Sequence, residues 1–278
     1  MQSYLHTFSS GNDRAKAIAI SRSDPPADSE LPGIIAPNEH YSFDTESVDG
    51  ISQLRRRIRD AEYAVDRVEA WSFLLGDYIT YRNEKFTSEI ATFNMSSATD
   101  CVNLGTRMCQ VESSSCFAAR NERDFPYPIH HRRKQEILWN HIDPVTWAKA
   151  FRRHADRKDN SVTTIRFNEA GDFKTQHDIW RVDEIARRLP NYNVFTYSAS
   201  SYLNWDSVEH FTVNASDTDH DYGDRHYKVV DDKSEVPDDG VLCPYDRTDG
   251  KIHCGECVAC ITDHAPDVYV EKFEGSNR

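Results

Sequence analysis

The sequence predicts an α/β protein, either a partial (β/α) barrel or an open parallel sheet, with an N-terminal heptad-patterned helix and a C-terminal cysteine-rich cluster-binding segment. Three observations predict it. Ser161–Phe167 (SVTTIRF) and Asn193–Tyr197 (NVFTY) are rich in β-formers and flank a helical run over Gln176–Leu189, and strand, helix, strand at this spacing implies a parallel pair with a crossover. Ile51, Leu54, Ile58, Ala61, Val65 and Val68 recur at alternating steps of three and four, which gives the heptad helix. Seven cysteines divide into Cys101, Cys109 and Cys116 in one loop-like run, and Cys243, Cys254, Cys257 and Cys260 far downstream.

Composition bounds the function. The 278 residues, 38% of them hydrophobic, suffice for one large domain or two small ones. A net charge of −13 repels nucleic acid unless a local basic patch exists. Lysine supplies only 10 of the 33 basic residues and Asp outnumbers Glu by 29 to 17, a surface similar to that of proteins from salt-loving microbes; the alternative is an ordinary acidic protein. No apolar run approaches the roughly 18 residues of a membrane span, and the N-terminus lacks a signal-peptide core, so a soluble intracellular protein is expected. In such a compartment cysteines serve as metal ligands or catalytic thiols more often than as disulfides.

Residues 1–48, rich in Pro, Ser, Asp and Glu, read as a flexible tail. Residues 49–87 form a helical extension, with Asp49-Gly50 as a turn or cap, the heptad helix packed on its own domain or paired with a second copy through residues 51–75, and an apolar cluster of Trp71, Phe73, Leu74 and Leu75 to be buried. Tyr78–Thr87 reads as a polar connection.

The core domain spans 88–240. Its first strand is Ser88–Asn94 (SEIATFN), followed by the three-cysteine run and a short helix over FAARNERDF that Pro126 and Pro128 halt. A helical pattern over 132–157 is interrupted at Asp143-Pro144, where a second helix starts. Further strands are expected at Val208–Val213 and His226–Val230, and residues 241–278 form the four-cysteine segment and its tail.

Cys254-x2-Cys257-x2-Cys260 with Cys243 upstream is the strongest local signal, because consecutive C-x2-C-x2-C wraps three thiolates around one face of a cubane and a distant cysteine completes a [4Fe–4S] site. A four-thiolate zinc site is the alternative. Gly255 and Gly240 are expected to free the backbone for that wrap. The first set would leave one iron open for a small molecule, so one or two [4Fe–4S] clusters are expected. Loops leaving the carboxyl ends of parallel strands share a rim, which joins Cys101, Cys109 and Cys116 to the Glu169–Asp172 loop. Alternatives for the first set are zinc completed by His130, His131 or Asp100, or plain buried thiols; for Asp172, a helix N-cap.

The strings ATFNMSSATDC and CFAARNERDFPYP, then IRFNEAGDF with IWRVDEIARRLPNYNVFTYSAS, and finally GVLCPYDRTDGKIHCGECVACI, resemble the gene product 88 domain family of phages and archaeal viruses over Glu89–Ile261. That resemblance implies a viral accessory protein in the host cytoplasm. Its layout is distantly similar to radical S-adenosylmethionine enzymes, which implies cofactor contacts from Glu169, Gly171 and Asp172, although C-x7-C-x6-C departs from their C-x3-C-x2-C spacing. Of the two expectations, one is an iron–sulfur enzyme that uses S-adenosylmethionine on a substrate the residues do not identify. The other is a non-enzymatic accessory protein, stapled by zinc or iron–sulfur, that recognises nucleic acid or a host protein. The basic run His130-His131-Arg132-Arg133-Lys134 supports the second.

Overall fold

The computed structural model describes residues 45–81, 85, 89–104, 106, 108–109, 116–157, 161–262 and 265–271. The expected tail falls outside them except for its last residues, which belong to helix α1 (Thr45–Glu62). Then come α2 (Arg67–Gly76), β1 (Thr80–Tyr81), β2 (Ile90–Phe93), α3 (Phe117–Asp124), α4 (Pro126–His141), α5 (Pro144–Arg157), β3 (Thr164–Phe167), α6 (Gln176–Arg188), β4 (Asn193–Ser198), β5 (Thr212–Ser216), β6 (Arg225–Val230), β7 (Val241–Leu242), α7 (Pro244–Arg247), α8 (Cys254–Cys257) and β8 (Val268–Glu271).

The strands form one eight-stranded sheet in the order β1-β2-β3-β4-β5-β6-β8-β7. Only β1 runs antiparallel to its neighbour. No pairing joins β1 to β7 among the described residues, so the sheet is open rather than a closed barrel.

Alternation along each strand divides the side chains between two faces. Phe93 and Phe167 face the helices. There they meet Trp139 of α4 and Trp147 of α5, with ring centroids 5.4–6.4 Å apart, and Phe151 stacks on Trp147 at 5.2 Å. All five are at most 1% exposed. Residues of opposite parity, Ile90 and Phe195, lie instead against Ile261, Cys254 and Cys260, so the four-cysteine segment covers the second face. Side chains of the sheet fasten it: Thr212 Oγ1 donates to Ile261 O at 2.9 Å, Asn214 Nδ2 to Cys260 O at 3.0 Å, and Arg225 to Thr262 O.

The helices begin where the sequence supplies caps. Asp143 Oδ1 accepts from Thr146 N at 2.8 Å at the start of α5, and Thr175 with Asp178 forms a capping box on α6.

Several expectations are corrected. Asp49-Gly50 lies within α1 instead of capping it. Leu54, Ile58 and Ala61 pack into the chain's own core, but the helix breaks after Glu62, leaving Val65 exposed; Phe73, expected in the buried cluster, lies instead on the outer side of α2 against Arg157. Pro126 and Pro128 open α4 rather than only ending α3, because the first turn of a helix needs no N–H donors of its own. The Tyr78–Thr87 connection contains β1. The strand expected at Val208–Val213 begins at Thr212.

Candidate functional site

The loops after β2 and β3 interlock. Asn94 Oδ1 accepts from Ala170 N at 2.9 Å, and Asn168 Oδ1 from Met95 N at 3.0 Å. Asn168 and Gly171 both have positive φ, 61° and 74°. A Cβ on Gly171 would stand 2.1 Å from Ser96 Oγ and 2.7 Å from Ser96 O, so the two loops touch only because glycine is there.

Asp172 ties the third loop to these two. Its Oδ1 accepts from Phe173 N at 2.7 Å and Ser198 Oγ at 2.6 Å, and its Oδ2 from Asn103 Nδ2 at 2.6 Å and Ala199 N at 2.7 Å. Those four donors come from the loops after β2 and β3, the end of β4 and the loop after it, and they occupy the lone-pair positions of the carboxylate. Burial raises its pKa against the pull of those bonds. The alternative N-cap role goes to Thr175.

A second clasp holds the start of the three-cysteine loop. Glu122, 2% exposed, accepts from Ala98 N at 2.7 Å and Thr99 N at 2.8 Å, and it pairs with Arg132 at 2.9 Å. Arg132 also stands 3.6 Å from Glu169, and Arg133 bonds Asp100 at 2.7 Å. Two members of the basic run thus point inward and brace the thiol loop. Asp100 and His131, offered above as zinc ligands, have other partners: Asp100 binds Ser97 and Arg133, and His131 lies 3.2 Å from Thr80 Oγ1.

The four-cysteine segment is a wrap of short turns. Cys243 precedes α7 and Cys254 opens α8. Between Cys257 and Cys260 the chain reverses at Val258, whose φ of 49° is strained for a β-branched residue. Gly250 has positive φ as well. Gly255 and Gly240 do not, so the freedom expected of those two lies elsewhere; at Gly240 a Cβ would stand 2.5 Å from the Tyr269 ring.

All seven cysteines line one cavity of about 220 Å³, together with Glu169, Gly171 and Asp172. The structure therefore brings the seven cysteines and the Glu169–Asp172 loop to one space, although the two thiol groups are more than a hundred residues apart, and it leaves Asp100 and His131 outside that lining. Burial pushes Cys254 up to about 12 and Cys260 up to about 11, and it raises Cys101, Cys116 and Cys243 as well. Among the described residues, no three His, Cys, Asp or Glu side chains are grouped so as to hold a metal ion.

A family profile described as gene product 88 matches residues 71–264, more than half of the chain. The chain belongs to the gene product 88 family. The gene product 88 region starts earlier than Glu89 and takes in most of α2 and all of β1, which agrees with Trp71, Leu74 and Leu75 lying in the core. Membership supports a viral protein. No curated protein and no solved structure matches the chain. No described helix is long and apolar enough to cross a membrane.

Sequence reading missed the residues that line the cavity from the sheet. Arg166, Tyr197 and Tyr227 are the chief ones. A signal for Arg166 existed: an arginine between Ile165 and Phe167 in a core strand faces away from the helix layer.

Proposed function

We propose that this gene product 88 protein is a viral iron–sulfur protein with the layout of a radical S-adenosylmethionine enzyme. The observation that supports it is the convergence of seven thiols on one cavity beside the loops that leave the parallel strands. Thiolates are the soft ligands that iron–sulfur clusters take, and the cavity's lining supplies seven of them. A cysteine binds metal as the thiolate, so loading releases the thiol's proton.

Cys243, Cys254, Cys257 and Cys260 would hold one [4Fe–4S] cluster, and Cys101, Cys109 and Cys116 a second with one iron position open. When bound, such an open cluster supplies the electron that cleaves S-adenosylmethionine. The chain's own residues give the setting. Glu169, beside Arg132, offers a carboxylate to a cationic amine in the cavity. Gly171 lets the second loop approach the thiol loop, and Asp172, saturated by internal donors, holds the three loops in register. The acidic, lysine-poor surface fits a haloarchaeal host.

Iron and acid-labile sulfide are to be counted after anaerobic purification. About eight irons per chain are expected for two four-iron cubanes. Stoichiometric zinc without iron overturns the reading in favour of a metal-stapled accessory protein. With iron present, failure to cleave S-adenosylmethionine after chemical reduction overturns the radical chemistry alone.

A further inference from the structure

Two buried carboxamides in the wall of the cavity each have one end that the protein does not satisfy. Asn103 is 1% exposed and Asn168 is 3% exposed, and both line the cavity that the seven thiols share. Asn103 Nδ2 donates to Asp172 Oδ2 at 2.6 Å and to Ser200 Oγ at 2.9 Å. Asn168 Oδ1 accepts from Met95 N at 3.0 Å. The opposite end of each amide, Asn103 Oδ1 and Asn168 Nδ2, is buried without a hydrogen bond among the described residues.

Turning either amide round does not help. A flipped Asn103 would set its oxygen against the Asp172 carboxylate, and a flipped Asn168 would set its NH2 group against the Met95 N–H. The wall therefore carries an acceptor and a donor whose identities are fixed, and a buried polar group left unmatched is costly enough to call for a partner. Glu169 follows Asn168 directly in the chain and lines the same cavity, as does Arg166 from β3. An acceptor beside a carboxylate suits an ammonium, which only donates; a donor with a guanidinium nearby suits a carboxylate, which only accepts. One ligand group carries both on a single carbon, the head of an α-amino acid.

We infer that Asn103 and Asn168 recognise the α-amino-carboxylate end of the small molecule bound in this cavity, with Asn168 Nδ2 donating to its carboxylate and Asn103 Oδ1, together with Glu169, accepting from its ammonium. The inference rests on the S-adenosylmethionine reading given above and adds to it the partner of the carboxylate. A site built to pair such groups rejects an analogue that lacks one of them.

The test is titration calorimetry of the anaerobically purified, unreduced full chain with S-adenosylmethionine and with its decarboxylated analogue. Asn168→Asp keeps the acceptor for Met95 N and suits the positive φ of 61°, but it replaces the donor with an oxygen. It should weaken S-adenosylmethionine roughly ten- to hundredfold and bind the decarboxylated analogue no more weakly than wild type does, at unchanged iron content. Glu169→Gln should weaken both ligands, because both carry the ammonium; wild-type affinity for both in that variant overturns the ammonium half of the inference. Iron-replete Asn168→Asp protein that binds S-adenosylmethionine as tightly as wild type, or that loses both ligands equally, overturns the carboxylate half and leaves the reading above intact. Wild-type protein that binds no S-adenosylmethionine overturns that reading and the inference together. Should Asn168→Asp lose iron, Asn168→Gly, which the same backbone accepts, carries the test with the same two ligands and the same deciding outcomes.

Discussion

The two faces of the sheet are built by opposite means. On the helix side, Phe93, Phe167, Trp139, Trp147 and Phe151 interlock with almost no exposure, and apolar burial holds them without help from any bound group. On the cysteine side the cover is a run of short turns, attached through hydrogen bonds from Thr212, Asn214 and Arg225 to backbone carbonyls and lined by buried thiols. The first face stabilises the fold by apolar packing, whereas the second is fastened by a few hydrogen bonds and, on the iron–sulfur reading proposed here, would depend on what its thiols hold.

Trp147→Ala should have the largest effect on stability. Removing a fully buried indole costs about 3–5 kcal/mol, so chemical denaturation should show a large loss whether or not metal is bound. If instead metal-loaded Trp147→Ala protein keeps wild-type stability, the helix face is not the main support. On the other face, Cys254→Ser should remove roughly half of the bound iron, one four-iron cluster of two, and open residues 243–261 to protease while far-ultraviolet dichroism persists. Loss of the dichroism would show that the two faces stand or fall together.

Gly171→Ala should cost about 1–3 kcal/mol, since alanine meets both a positive φ and Ser96; urea denaturation measures it. Asp143→Ala should cost about 1 kcal/mol by removing the cap of α5. Burial raises the pKa of Asp143, but its bonds to Thr146 and the nearby Arg67 outweigh that and hold it below the ordinary carboxylate value. A depressed carboxylate stabilises the fold above its unfolded pKa, near 3.9, and that contribution fades as pH falls through the folded value. Asp143→Asn should keep most of the cap and lose this acid dependence, which thermal melts at pH 7 and pH 3 would compare.

Sequence patterns gave the helix face more readily than the cysteine face, for a physical reason. β2, β3, α6 and β4 each advertise themselves through local periodicity and turn chemistry, and β3, α6 and β4 are also close neighbours in the chain. β7 is only two residues long, too short for periodicity to register. The heptad pattern continued through Val65, but the Asp66 cap starts a new helix and leaves Val65 in solvent. His130–Lys134 stood out as a dense basic run because sequence shows charge and not direction; Arg132 turns toward Glu122 and Arg133 toward Asp100.

At the candidate site, every cysteine and the Glu169–Asp172 loop were visible as residue types with suggestive spacing. Their sharing of one cavity was not, because it depends on which face of the sheet the downstream segment covers. Arg166, Tyr197 and Tyr227 come from three strands and become neighbours only through strand register.

The sheet order places β8 between β6 and β7, so the strand that follows the four-cysteine segment in sequence slots in beside the strand that precedes it. The segment is thus a closed loop whose two ends are fastened by parallel pairing, Val241 opposite Val268 and Leu242 opposite Tyr269. Closing a loop of that length carries an entropic cost that must be met before the pairing rewards it. Nothing in the pairing of the upstream strands needs β8 in place, so its insertion between β6 and β7 can come last. A metal bound to the segment's thiols would shorten the loop that remains to be closed, which makes loading and that insertion mutually reinforcing events.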